Sequence, residues 1–100
     1  SQLTHAIAVA LMCTNEDPKL CDYTGDSFRD LTRIANINDV MWSELFLLNK
    51  DALLAETDAF IKQITKMRDM IADDDTDGIR EMMKTSTERR KRFNKPSIQI

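Results

Sequence analysis

The stretch SFRDLTRIANINDVMWSELFLLNKDALL, residues 27–54, contains neither glycine nor proline. A run of that length without either breaker favours helices over hairpins. Phe28, Leu31 and Ala35 fall within one narrow arc of a helical wheel, and Ser27 with Asp30 has the S-x-x-D form of a capping box. A helix is therefore expected from about residue 27 to residue 36. Residues 36–39 read as a turn and residues 40–48 as the next helix, with Trp42 as its apolar anchor. Asn49 and Asp51 then either break that helix or merely punctuate it.

On the N-terminal side, LTHAIAVALM (residues 3–12) lies in a helix expected over residues 2–13 that is apolar nearly all round. Such a helix wants cover on every side, and a small helical domain rarely supplies that at its own terminus. The chain also opens without Met. It is therefore expected to be a piece of a longer protein, with a preceding segment or a second copy packed over this helix. A polar loop holding Asn15, Asp17, Pro18 and Gly25 leads on to residue 27.

On the C-terminal side, residues 52–71 carry Leu53, Thr57, Phe60, Ile64, Met67 and Ile71 at steps of three and four, the pattern of an amphipathic helix. DDDTDG, residues 73–78, makes a loop whose acids also suit the start of a last helix over residues 79–93. That helix sets Ile79, Met82, Met83, Ser86, Arg90 and Phe93 on one side. There is no strand signal, no repeat and no low-complexity tract. The expectation is one all-α domain over residues 1–100.

Composition narrows the function classes. Apolar residues make up 42% and charged residues 31%, which suits a folded rather than a disordered chain. A net charge of −3 gives no general attraction to nucleic acid or to a membrane surface. The apolar run of residues 6–12 is too short to span a bilayer. Cys13 and Cys21 have no metal-type spacing and no histidine neighbour, so they read as reduced thiols of a cytoplasmic protein, with no metal site expected. The basic run RRKRFNK, residues 89–95, sits where cations suit a helix C-terminus and lacks stacking aromatics beside it. It reads as a solvated helix end. Four of the six methionines fall in the two amphipathic helices, where they serve as core filler.

Asp30 and Arg33 are the residues that raise a question of chemistry. They lie one turn apart and away from the apolar arc. Spacing alone allows an exposed ion pair worth about 0.2–0.5 kcal/mol, or a cation kept for a ligand. His5, among Leu3, Ala6 and Ile7, reads either as a hydrogen-bonded core histidine or as a ligand contact.

The same stretch resembles the prephenate dehydrogenase family and its arogenate-specific relatives. That family shows G-F-R-D-x-T-R-I-A, then M-W, then L-x-N-[KR]-x-x-L-L. Here Phe28-Arg29-Asp30, Thr32-Arg33-Ile34-Ala35, Met41-Trp42 and Asn49-Lys50 match in order and spacing. LTHAIAVAL is similar to the family's S-H-L-P-H helix, with His5 on its second histidine. The resemblance runs from about Leu3 to Phe93. Three departures stand out: Ser27 replaces the usual glycine, the Asp-Pro before M-W is absent around residues 38–40, and the first histidine of S-H-L-P-H falls outside the chain.

The resemblance implies an all-α dimerisation domain of the 6-phosphogluconate-dehydrogenase-C-terminal-like type, lacking its Rossmann domain. The complete enzyme would oxidatively decarboxylate prephenate to 4-hydroxyphenylpyruvate. NAD or NADP would be held mainly by the missing domain, together with the catalytic histidine. This chain, inactive alone, would supply part of the substrate wall and a homodimer interface. It would engage prephenate or arogenate, and neither nucleic acid nor membrane. Arg33 would hold a substrate carboxylate bidentately, a role that suits a permanently charged fork. Asp30 would orient Arg33 or join a gating ion pair, His5 would donate to the substrate or shape the pocket, and Trp42 would stiffen the wall. The rival reading is a stand-alone helical interaction module, which places the natural start of the protein next to Ser1.

Overall fold

The structure, a computed structural model, describes residues 2–14, 16–17 and 25–93. The expected sites at Asn15, Pro18, Cys21, Asn94 and Lys95 lie outside the described residues. The elements are α1 (Gln2–Met12), α2 (Asp26–Thr32), a 3-10 turn (Arg33–Ala35), α3 (Asp39–Leu48), α4 (Lys50–Ala72), α5 (Thr76–Arg90) and a second 3-10 turn (Lys91–Phe93). There is no strand among the described residues. The all-α expectation therefore stands.

Local chemistry explains where the helices start and stop, and it moves several expected boundaries. Gly25, in extended conformation and without a side-chain cap, occupies the N-cap position of α2. Ser27 consequently lies inside the first turn and forms no capping box, while Asp26 sets its carboxylate beside the positive helix start. The Thr32 hydroxyl donates to the Phe28 carbonyl at 2.7 Å. Such back-bonding bends a helix, and the chain tightens to 3-10 geometry at the next residue. Asn38 caps α3 properly, its side-chain oxygen accepting from Met41 N at 3.0 Å. Asn49 hardly breaks the chain, since its N–H still donates to Leu45 O at 3.2 Å and its carbonyl accepts from Leu53 N at 3.0 Å.

The chain divides into two compact units, Ser1–Ala59 and Phe60–Ile100. In the first, α1 packs against α2 and the 3-10 turn Arg33–Ala35. Ala8 is the fully buried member of the described apolar residues. Leu3, Ile7, Val9, Leu11, Phe28, Ile34, Trp42, Leu45 and Phe46 are half-buried. The complete cover that the α1 sequence asks for is thus not supplied within the described residues, and Met12 stays 42% exposed.

In the second unit, Phe60, Met67 and Met70 from α4 and Ile79 and Met82 from α5 are half-buried. Of the stripes expected on these helices, Ile64, Ile71, Met83 and Phe93 are exposed. The turn between the two helices follows the Schellman pattern. Asp75 N donates to Met70 O at 2.9 Å and Asp74 N donates to Ile71 O at 3.2 Å. Asp74 takes the left-handed conformation that this motif needs, with φ 52°. The Asp75 carboxylate then caps α5, accepting from Gly78 N at 2.9 Å. That cap explains why α5 begins at Thr76, ahead of the expected residue 79.

Asp74 therefore occupies a position that glycine fills without strain. Asp74→Gly is expected to stabilise the fold by about 0.5–1 kcal/mol, read as a higher urea midpoint. An unchanged or lower midpoint would show that the Asp74 side chain makes up for the strain.

Candidate functional site

His5 and Trp42 come from different elements and meet face to face. Their ring centroids lie 4.0 Å apart with 21° between the planes. Trp42 in turn presents an edge contact to Phe46, at 6.0 Å and 67°. Such aromatic pairs add about 0.5–1.5 kcal/mol beyond the area they cover. Both His5 and Trp42 are half-buried, so each keeps part of its surface toward solvent.

A polar clamp sits beside this stack. Gln2 Nε2 donates to Leu45 O at 3.3 Å, and Gln2 Oε1 accepts from Asn49 Nδ2 at 3.3 Å. One primary amide thus fastens the start of α1 to the last turn of α3, using its donor and its acceptor at once. Helical patterning singles out neither Gln2 nor Asn49. The signal that points to Asn49 is its place in the Asn49-Lys50 match.

Arg33 and Asp30 are both exposed. Arg33 is the first residue of the 3-10 turn, and its backbone N–H donates to Asp30 O. Their side chains form no ion pair with each other; the ion pairs among the described residues are Arg68–Asp69, Lys84–Glu81 and Lys91–Glu88. The chain leaves α-helical geometry at Thr32, where φ is −95° and ψ is 4°. The turn carrying Arg33 packs on α1, the helix that carries His5.

Elsewhere, an open groove of about 810 Å³ runs between the end of α4 and α5, with Lys66, Met70, Glu81, Met82 and Arg89 among its walls. None of the residues nominated by sequence lies in it. The basic run ends α5 with Arg89 and Arg90; Arg90 lies over the Phe93 ring at 5.8 Å, and Lys91 bonds Glu88 at 3.0 Å. Among the described residues no group of three His, Cys, Asp or Glu side chains is placed to hold a metal. No described helix is long and apolar enough to cross a membrane. Cys13 is a free, exposed thiol.

Comparison with known proteins gives this geometry a context. Residues 1–85 match the family described as "Prephenate dehydrogenase, dimerization domain". The chain belongs to that family. It is 30% identical over 95 residues to a prephenate dehydrogenase of Bacillus subtilis, and 36% identical over 96 residues to a cyclohexadienyl dehydrogenase of Zymomonas mobilis. Each alignment covers 90% of this chain, but 26% of the first relative and 33% of the second. The chain thus spans about a quarter to a third of the relatives it matches. In this prephenate dehydrogenase dimerization domain, the F-R-D-x-T-R-I-A stretch forms α2 and the 3-10 turn, and M-W supplies the ring against His5.

The stack can be tested directly, because Trp42 is the single tryptophan. His5→Leu is expected to change the Trp42 emission and to lower stability by about 0.5–1.5 kcal/mol, measured by urea unfolding followed through that emission. Unaltered emission would mean that the two rings do not stack in solution.

Proposed function

We propose that this domain serves a dehydrogenase that oxidatively decarboxylates prephenate, or its close relative arogenate, with NAD or NADP as oxidant. Its share of the work is a wall of the substrate pocket and part of a homodimer interface. The observation that carries the pocket reading is Arg33: an exposed guanidinium, making no ion pair with Asp30, on a turn packed against the helix that holds His5.

The chemistry calls for such a group. Prephenate carries two carboxylates, one on the ring and one on the pyruvyl side chain. A guanidinium holds a carboxylate with two parallel bonds and stays charged at any working pH. In this reading Arg33 binds and orients a substrate carboxylate, and Asp30 steadies the guanidinium once that carboxylate is in place. His5 donates to the substrate from the open part of its ring. Trp42, backed by Phe46, fixes the plane of His5.

A dinucleotide pyrophosphate needs a glycine-rich turn at a helix start. This chain has glycines at 25 and 78 alone, which do not form one. Its residues therefore act on the substrate, and hydride acceptance belongs to a separate dinucleotide-binding domain. The purified chain is expected to produce no NADH from prephenate, and NADH production would refute this division of labour.

The decisive measurement is steady-state kinetics of the complete enzyme with prephenate and cofactor varied separately. Arg33→Ala is expected to raise KM for prephenate by tens to several hundred-fold, which corresponds to about 2–4 kcal/mol. KM for the cofactor should hardly move. Arg33→Lys should recover part of the loss, and Asp30→Ala should cost less than Arg33→Ala. A simple surface charge would give less than about 1 kcal/mol and no selectivity for prephenate. An Arg33→Ala enzyme with normal KM for prephenate removes Arg33 from the pocket.

A further inference from the structure

Gln2 and His5 lie three residues apart on α1, and Trp42, Leu45 and Asn49 follow at steps of three and four along α3 and its C-cap. Residues at these steps share a helix face. The two rows meet in opposite order: Gln2 reaches Leu45 and Asn49, and His5 reaches Trp42. At the Gln2 end, three hydrogen bonds close a ring. Gln2 Nε2 donates to Leu45 O at 3.3 Å, Asn49 Nδ2 donates to Gln2 Oε1 at 3.3 Å, and Asn49 N donates to the same Leu45 O at 3.2 Å. Leu45 O thus uses both of its lone pairs, and the Gln2 amide uses a donor and its acceptor together. The ring closes only with the end of α3 wound and the start of α1 in this register.

The stack by itself does not fix that register. Trp42 holds the plane of His5, but stacked rings accept a range of offsets and can turn within the plane. A second attachment one turn away, made of directional bonds, removes this freedom. We propose that Gln2, held by Asn49, is a positioning residue: it sets the offset of His5 over Trp42, and so the direction in which the open part of the His5 ring faces. The inference rests on the reading that His5 contacts the substrate. Gln2 acts through His5 and not on the substrate. The residue type fits the task. One planar amide carries a donor for Leu45 O and an acceptor for Asn49, whereas a glutamate of the same length would turn an oxygen on the Leu45 carbonyl.

The test is a mutant cycle in the complete enzyme, with prephenate and cofactor varied separately. Gln2→Glu keeps the size of the side chain and removes the donor. It is expected to raise KM for prephenate about two- to tenfold, the worth of one net hydrogen bond, while KM for the cofactor hardly moves. Asn49→Ala, at an exposed position whose backbone bonds are kept, should act in the same direction and less strongly. It decides the matter if Gln2→Glu does not fold. In a His5→Leu background, Gln2→Glu should raise KM no further, because the residue it positions is gone. A residue that only supports the fold would instead give the same change with and without His5. Parental KM for prephenate in both Gln2→Glu and Asn49→Ala, or an equal rise in the His5→Leu background, would overturn the positioning role and leave the substrate reading of His5 standing. A His5→Leu enzyme with normal KM for prephenate would overturn that reading, and the positioning role with it.

Discussion

Apolar surface in excess of what the chain can cover is the constraint on which this domain depends. An amphipathic helix buries one stripe and leaves the rest to its neighbours. Here the described residues include twelve large apolar side chains at least 42% exposed, from Met12 to Phe93, against one fully buried apolar residue, Ala8. Hydrophobic burial is the main favourable term in folding. A domain with so little of it inside gains much of its stability from surfaces that meet something else. Membership of a dimerization-domain family accords with that arithmetic.

Besides its packing on α2 and the 3-10 turn Arg33–Ala35, α1 is tied to α3 by economical means. The His5–Trp42 stack and the Gln2 clamp join α1 to α3 with two aromatic rings and one amide. Neither contact is a greasy core contact, and both leave part of their surface available. A pocket wall needs this combination: side chains fixed by one face and offered by the other. The 3-10 turn Arg33–Ala35, packed on α1, leaves Arg33 exposed beside it.

The helices were legible in the sequence because their signals are local. Missing breakers over residues 27–54 and the three-four steps of residues 52–71 each declare a helix without reference to the rest of the chain. Errors arose where one side chain overrode the local rule. Gly25 displaced Ser27 as cap, Asp75 captured Gly78 N and started α5 early, and the chain passed into a 3-10 turn at Arg33 where a wheel assumes α-helix. His5 and Trp42 could each be nominated, His5 through its match to a family helix, but their stacking is a tertiary fact that no single-helix pattern contains. Gln2 carried no signal at all, since a glutamine at a helix start is ordinary until the carbonyl it reaches is known.

Gly78 carries a consequence for anyone wishing to make this domain more robust. Glycine inside a helix invites replacement by alanine, which ordinarily improves a helix by about 1 kcal/mol. At this position the added methyl would sit 2.8 Å from Met70 Sδ and would crowd the Asp75 carboxylate that caps the helix. The groups in the way are therefore the thioether that helps close the hairpin and the anion that starts α5. An engineering scheme that ranks substitutions by secondary-structure preference would choose this site early, and here the preference and the packing have opposite signs.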